Sequence, residues 1–185
     1  MTARVWDLSQ RDSRAMVLEH PSRIRSMALS ADGKRLVTGS YDKTARVFDL
    51  GADDPRSSPM MLTGHDGIIL GMALTADGKR LATGSVDNTV RIWNLEAEKP
   101  GDSVIVFRGH KHWVTALALS ADGKRLVSGS RDKTARVWLL ETASLLAAGH
   151  RVAGRKLSND ERAMYQLGSS LKEQRIGQES TSAVD

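Results

Sequence analysis

Residues Ala28–Leu50 read ALSADGKRLVTGSYDKTARVFDL, and the chain writes nearly the same line twice more. Ala73–Leu95 reads ALTADGKRLATGSVDNTVRIWNL and Ala118–Leu140 reads ALSADGKRLVSGSRDKTARVWLL, 45 residues apart each time. The first and third copies agree at 19 of 23 positions, a closeness that points to duplication within one gene. A fixed period of this length marks a repeat architecture. Met27-Ala28-Leu29 and its equivalents lead into Ala-Asp-Gly-Lys, a turn whose Gly is free to take positive φ. Arg-Leu-Val-Thr-Gly-Ser follows as a short apolar strand. A second tight turn comes at Tyr41-Asp42-Lys43, Val86-Asp87-Asn88 and Arg131-Asp132-Lys133. Thr-Ala-Arg-Val-Phe/Trp then alternates as a third strand. A more variable fourth strand is expected at Ala15–Leu18, Met60–Leu62 and Val104–Phe107. Four short strands per unit is the pattern of a propeller blade.

Gly64-His65 and Gly109-His110 open their units, and an aromatic–acid or related pair closes them. Trp6-Asp7 is the literal Trp-Asp pair, Phe48-Asp49 and Trp93-Asn94 are near variants, and Trp138-Leu139 keeps only the tryptophan. On these motifs the chain resembles the WD-repeat family over roughly residues 1–140. The resemblance implies an all-β fold: three full four-stranded propeller blades plus a half blade, an incomplete ring, with a short helical C-terminal tail. The expected repeats run over about 1–18 (partial), 19–63, 64–107 and 108–140, followed by a helical tail at 141–168 and a disordered end at 169–185. Residues 2–8 read as a third strand lacking its first and second, with 14–18 as that blade's outer strand. Such an arc exposes blade faces and strand edges that are normally packed. Two explanations compete. The chain is part of a longer protein, with Met1 an internal or misassigned start, or several copies associate to complete a ring. Starting in mid-blade favours the first.

The resemblance also implies a role for the His, Ser/Thr, Asp and Trp of each unit. In WD blades they form a hydrogen-bonded relay in which Asp holds His, His holds the hydroxyl, and the hydroxyl holds the indole N–H. Carried over, one set is His65, Thr83, Asp87 and Trp93, and another is His110, Ser128, Asp132 and Trp138. A third is His20, Thr38 and Asp42 with Phe48. This set departs from the pattern, because Phe48 has no N–H and His20 follows Glu19 rather than Gly. Buried polar groups must be paired, and a satisfied network fixes strand geometry. The structural reading is therefore preferred to a nucleophile–base reading, and no catalytic residue, metal or cofactor is assigned. His110 and His112 share a strand face by spacing, but read better as a relay histidine and an exposed neighbour. Gly-Ser-X-Asp-Lys/Asn-Thr looks superficially like a phosphate loop, yet lacks Gly-Lys-Ser/Thr.

Between near-identical units, Tyr41, Val86 and Arg131 differ at one loop position. The entry loops His20-Pro21-Ser22-Arg23, His65-Asp66-Gly67-Ile68 and His110-Lys111-His112-Trp113 differ as well. In WD proteins both loop sets open onto the face that receives partners. Variation on a fixed scaffold is what a recognition surface shows. Arg23, Tyr41, Lys111, His112, Trp113 and Arg131 are the candidate partner-binding residues. Lys34, Arg35, Lys79, Arg80, Lys124 and Arg125 fall at another shared hairpin. They offer a polyanion such as nucleic acid a basic rim, but Asp32, Asp77 and Asp122 beside them partly cancel the charge. A solvated turn is the preferred reading there.

Composition sets the outer limits. The 185 residues carry a formal charge of +5, with 40% hydrophobic and 26% charged residues, as in a soluble globular domain. There is no cysteine, hence no disulfide or thiol chemistry, and no apolar run long enough to span a membrane. The N-terminus lacks the pattern of a secretory signal, and a cytoplasmic location is expected. After Trp138, residues 141–151 are Ala- and Leu-rich and read as a short helix. Ser158 and Glu161 have capping-box spacing for a second helix near 159–167. Ala153–Ser158 resembles the segment that closes many bacterial multidomain WD-repeat proteins, where the propeller often follows a kinase or NTPase domain. The function expected is non-catalytic: a scaffold for other proteins within a larger signalling or regulatory protein.

Overall fold

The computed structural model describes residues 1–8 and 15–140. The expected helical tail at 141–168 and disordered end at 169–185 lie outside the described residues. β1 (Thr2–Val5) and β2 (Met16–Glu19) form a two-stranded antiparallel half blade. β3 (Ile24–Leu29), β4 (Arg35–Ser40), β5 (Ala45–Asp49) and β6 (Met60–Leu62) form the first full blade in sequential order. β7 (Ile69–Leu74), β8 (Arg80–Ser85), β9 (Val90–Asn94) and β10 (Ile105–Phe107) repeat it as the second blade, with a 3-10 turn at Pro100–Ser103 before β10. β11 (Val114–Leu119), β12 (Arg125–Ser130) and β13 (Ala135–Leu139) form a three-stranded third blade among the described residues.

The repeated sequence produces repeated register. Leu36 faces Phe48, Leu81 faces Trp93 and Leu126 faces Trp138 across the second and third strands. The first strand carries the same irregularity in each blade, between Ile24 and Ser26, Ile69 and Gly71, and Val114 and Ala116. The Ala-Asp-Gly-Lys turns close alike. Gly33, Gly78 and Gly123 take φ of 71°, 69° and 65°, a region where a side chain is strained. The hydroxyls of Ser30, Thr75 and Ser120 donate to Asp32, Asp77 and Asp122.

Blades stack face to face, and the core lies between them. Phe48 and Leu36 pack on Ala3 and Leu18 of the half blade. Trp93 and Leu81 pack on Val37, Val47 and Leu62 of the first blade. Trp138 and Leu126 pack on Ala82, Ile92 and Phe107 of the second. Each blade thus offers an aromatic and leucine face backwards and a face of small and β-branched residues forwards. Burying such side chains stabilises by about 1.5–3 kcal/mol each. The two ends of the arc differ. Val127 and Val137 are 41% and 57% exposed, whereas their counterparts Val37 and Val47 are 0% and 7% exposed. Met27 and Leu29 are exposed at the opposite end, where the half blade has no inner strands among the described residues. Trp6 of the literal Trp-Asp pair is exposed and lies just past β1, whereas Phe48, Trp93 and Trp138 sit within their strands.

Candidate functional site

In the second blade, the four residues grouped from the sequence form one chain of bonds. Asp87 Oδ2 lies 2.7 Å from His65 Nδ1, and His65 Nε2 lies 2.8 Å from Thr83 Oγ1. The Trp93 indole donates to Thr83 Oγ1 at 2.9 Å. The third blade repeats this with Asp132, His110, Ser128 and Trp138, at 2.8 Å for each of the three links. The protons are all accounted for. A carboxylate only accepts, so Nδ1 carries the imidazole proton; Nε2 then accepts from the hydroxyl, whose oxygen accepts from the indole.

Ser128–His110–Asp132 has the connectivity of a hydrolase triad, and its surroundings decide what it can do. Ser128 is 0% exposed and already accepts the indole proton of Trp138. A reacting atom needs open space about 3 Å from the nucleophile, and this hydroxyl has been enclosed. Asp87 and Asp132 also bind the entry loop, accepting the N–H groups of Asp66 at 3.0 Å and Lys111 at 2.9 Å. They accept the hydroxyls of Thr89 and Thr134 at 2.6 Å each. Burial pulls the Asp87 carboxyl upward, but the bonds from His65 and Thr89 outweigh it and hold it well below the usual range. The Thr134 bond leads the same downward shift at Asp132.

The first blade does not repeat the chain. His20 Nε2 lies 2.9 Å from Thr38 Oγ1, but no bond joins His20 to Asp42. Arg46 stands between them. Its Nη1 donates to Asp42 Oδ2 at 2.8 Å and to Thr44 Oγ1 at 2.9 Å, and lies 3.3 Å from each ring nitrogen of His20. A guanidinium only donates, and Nη1 stands equally far from both ring nitrogens, so this contact singles out neither of them as the acceptor. Phe48 has no N–H, so Thr38 Oγ1 lacks the indole bond that Thr83 and Ser128 accept. Burial first, then the neighbouring Arg46 cation, lowers the His20 pKa below 6.5.

The cause is one missing residue. Leu18, Leu62 and Phe107 occupy equivalent outer-strand places, opposite Ala3, Ala45 and Val90. Two residues separate Leu62 and Phe107 from their histidines, whereas Glu19 alone separates Leu18 from His20. The lost residue is the glycine. Gly64 and Gly109 take φ of 132° and 149°, and an added Cβ would lie 2.6 Å from Arg91 Nη1 and 2.9 Å from Arg136 Nη1. In those blades the arginine lies across the glycine. Arg46, with no glycine to lie across, enters the relay. Sequence reasoning missed Arg46, although the shortened spacing before His20 was its signal.

The loop positions that vary between blades are also brought together. The Tyr41 N–H donates to the Arg23 carbonyl, Val86 to Ile68, and Arg131 to Trp113, at 2.9 Å in each case. Arg23, Lys111, His112 and Arg131 are exposed, as is Tyr41. The Arg131 guanidinium carbon sits 4.5 Å from the Trp113 ring centre, and the His112 ring lies 5.3 Å from it. His112 Nδ1 accepts the Trp113 N–H at 2.8 Å, while both His110 ring nitrogens are engaged in the relay. The two histidines do not converge. Lys34, Arg35, Lys79, Arg80, Lys124 and Arg125 lie at the other end of the same strands. There Arg35 donates to the Gly78 carbonyl at 2.9 Å and Lys79 pairs with Glu96 at 3.0 Å.

The model of the family described as "WD domain, G-beta repeat" matches residues 13–49, 56–94 and 101–138. Coronin-7 of Rattus norvegicus and Coronin-7 of Mus musculus are each 40% identical to this chain over 60 residues. Those matches take in 32% of the chain and span about 6% of the length of either relative. Three matched repeats cover more than half of the sequence, each running from the outer strand of one blade through the third strand of the next, and the chain belongs to the WD-repeat family.

Proposed function

We propose that the chain is a non-catalytic scaffold that binds other proteins through its loop rim, within a larger signalling or regulatory protein of bacterial type. The observation that carries this is the pairing at one rim. Positions that vary among nearly identical blades are joined by backbone bonds, so each blade presents one two-residue recognition unit. WD domains commonly mediate protein–protein contacts. The relays serve here as struts: they hold the entry loop against the turn between the second and third strands, which fixes each pair in place. Arg23, Tyr41, Lys111, His112, Trp113 and Arg131 are the contacts proposed. A cytoplasmic setting accords with this reading. The domain division at residues 140 and 168 is likewise proposed. Among the described residues no helix is long and apolar enough to cross a membrane.

The test is site-specific photo-crosslinking in an extract of the host cell. A photoreactive residue at position 113 is expected to give discrete protein adducts, and one at 122, on the opposite turn, to give few. Equal yields from the two would overturn the proposal. A polyanion on the Lys-Arg rim is the second reading, favoured by the six clustered cations. It requires DNA or RNA affinity that falls steeply with salt. Against it, the hydroxyl bonds of Ser30, Thr75 and Ser120 keep Asp32, Asp77 and Asp122 ionised beside those cations.

A further inference from the structure

The three rim pairs form an ordered series. β3 packs beside β7, and β7 beside β11, so the pairs at their leading ends follow one another along one edge. Across the aligned segments 20–50, 65–95 and 110–140, all three copies differ at only seven places. Four of these, at 21–23 and 41 in first-blade numbering, lie in the entry loop or the facing turn. The series has a sense. The first blade joins Arg23 and Tyr41, one cationic and one aromatic residue, through their backbones. The second presents Ile68 with Val86, two half-buried aliphatic side chains. The third presents Trp113 with Arg131, again a ring and a cation, already stacked. The remaining loop charges repeat the pattern. Lys43 flanks the first pair, while Lys111 and Lys133 flank the third. The middle blade has Asn88 at the lysine position and Asp66 in its entry loop.

We infer that the rim binds an extended acidic peptide segment, in which one aliphatic side chain sits on Ile68 and Val86 and carboxylates on either side meet Arg23 and Arg131. This deepens the reading of the rim as the receiving face and rests on it. Three physical terms favour this occupant. The aliphatic pair rewards burial of an apolar side chain and offers a charged one no partner. The guanidinium groups bind carboxylates with directional, charge-assisted bonds, and stacking on Trp113 pre-orients Arg131. Asp66 repels a carboxylate at the centre, which places the ligand's acids at the flanks and rejects a uniformly acidic strand.

The experiment is selection of a random displayed peptide library on the purified full chain at low salt, with binding of selected peptides measured by fluorescence polarisation. The expected enrichment is for an aliphatic residue flanked on both sides by Asp or Glu. The R23E/R131E double variant is expected to weaken these peptides on the order of tenfold and, when selected anew, to enrich Lys- or Arg-flanked sequences. These side chains are exposed, and an unchanged melting temperature verifies the fold. Peptides without acidic flanks whose binding is lost in I68D would leave the rim as receiving face and overturn the acidic ligand. Peptides insensitive to both R23E/R131E and I68D, or no enrichment at all, would overturn both.

Discussion

At the scale of single residues, the three relays differ in what stands between histidine and aspartate: Arg46 in the first blade, nothing in the other two. Nitrogen-detected NMR of the histidines is expected to show the Nδ1–H form at His65 and His110, whose Nδ1 faces a carboxylate. Arg46 beside the buried His20 has a pH consequence. The folded pKa of His20 lies below its ordinary 6.5. On acidification the unfolded chain therefore takes up this proton first, and stability falls as pH drops from near 6.5 towards the folded value. Asp42, Asp87 and Asp132 lie below their ordinary 3.8. Their contribution is present above that value and is lost as pH falls below it. Thermal melts are expected to show both limbs, and His20→Gln to remove the upper one. Phe48→Trp tests the same blade. Thr38 Oγ1 has a second lone pair for an indole N–H, and a cleft of about 390 Å³ beside Phe48, lined by Val17, Leu18 and Pro59, leaves room for the larger ring. The variant is expected to gain about 1 kcal/mol, or roughly 2–4 °C in melting temperature; a clear fall would contradict this geometry. The members of the relays were legible in the sequence through the resemblance to WD repeats, whose relay positions carry over onto each repeated unit. The role of Arg46 was not, because an arginine in an alternating strand reads as a solvent-facing residue until its glycine partner is removed.

At the scale of elements, near-identical segments take different burial according to what covers them. β4 (RLVTGS) has five consecutive buried residues, whereas β12 (RLVSGS) alternates for most of its length. Covered on both faces, a strand needs apolar or small residues throughout; covered on one, it shows the period of two. Sequence patterns locate such strands but do not say which faces are covered, so the half-open state of β12 had no signal of its own. The inner strands were legible only at their ends. Met27-Ala28-Leu29 repeats well, while residues 25 and 26 diverge between copies and lie at the irregular register. The turns between second and third strands carry a cost. Lys43, Asn88 and Lys133 have φ of 70°, 68° and 68°, where a Lys is disfavoured by roughly 1–2 kcal/mol relative to the right-handed region. Lys133→Gly relieves that strain but adds backbone freedom to the unfolded chain. A net gain of up to about 1 kcal/mol is expected in denaturant titration, with the unfolding slope unchanged.

At the scale of the molecule, the arc is held by a backward face on each blade fitted to a forward face on the one before. The forward face of the third blade has Val127, Val137 and Leu139 exposed. Leu139 occupies the place of Asp49 and Asn94, which are solvated in their blades. Leu139→Asp restores the polar residue at no cost to the described core. It is expected to lower concentration-dependent association in light scattering while leaving the melting temperature within about 1 °C, as for a surface substitution. An increase in association would show that Leu139 serves an internal contact. The fit between faces also has a genetic consequence. Each unit of forty-five residues begins and ends at the same point of the same interface. Misaligned recombination between two gene copies, shifted by one unit, would remove or insert a whole blade in frame and leave every remaining junction a Trp-and-Leu face on a Val-and-Ala face. New orders of rim pairs then arise without remaking the core, so the coding sequence is a set of exchangeable cassettes.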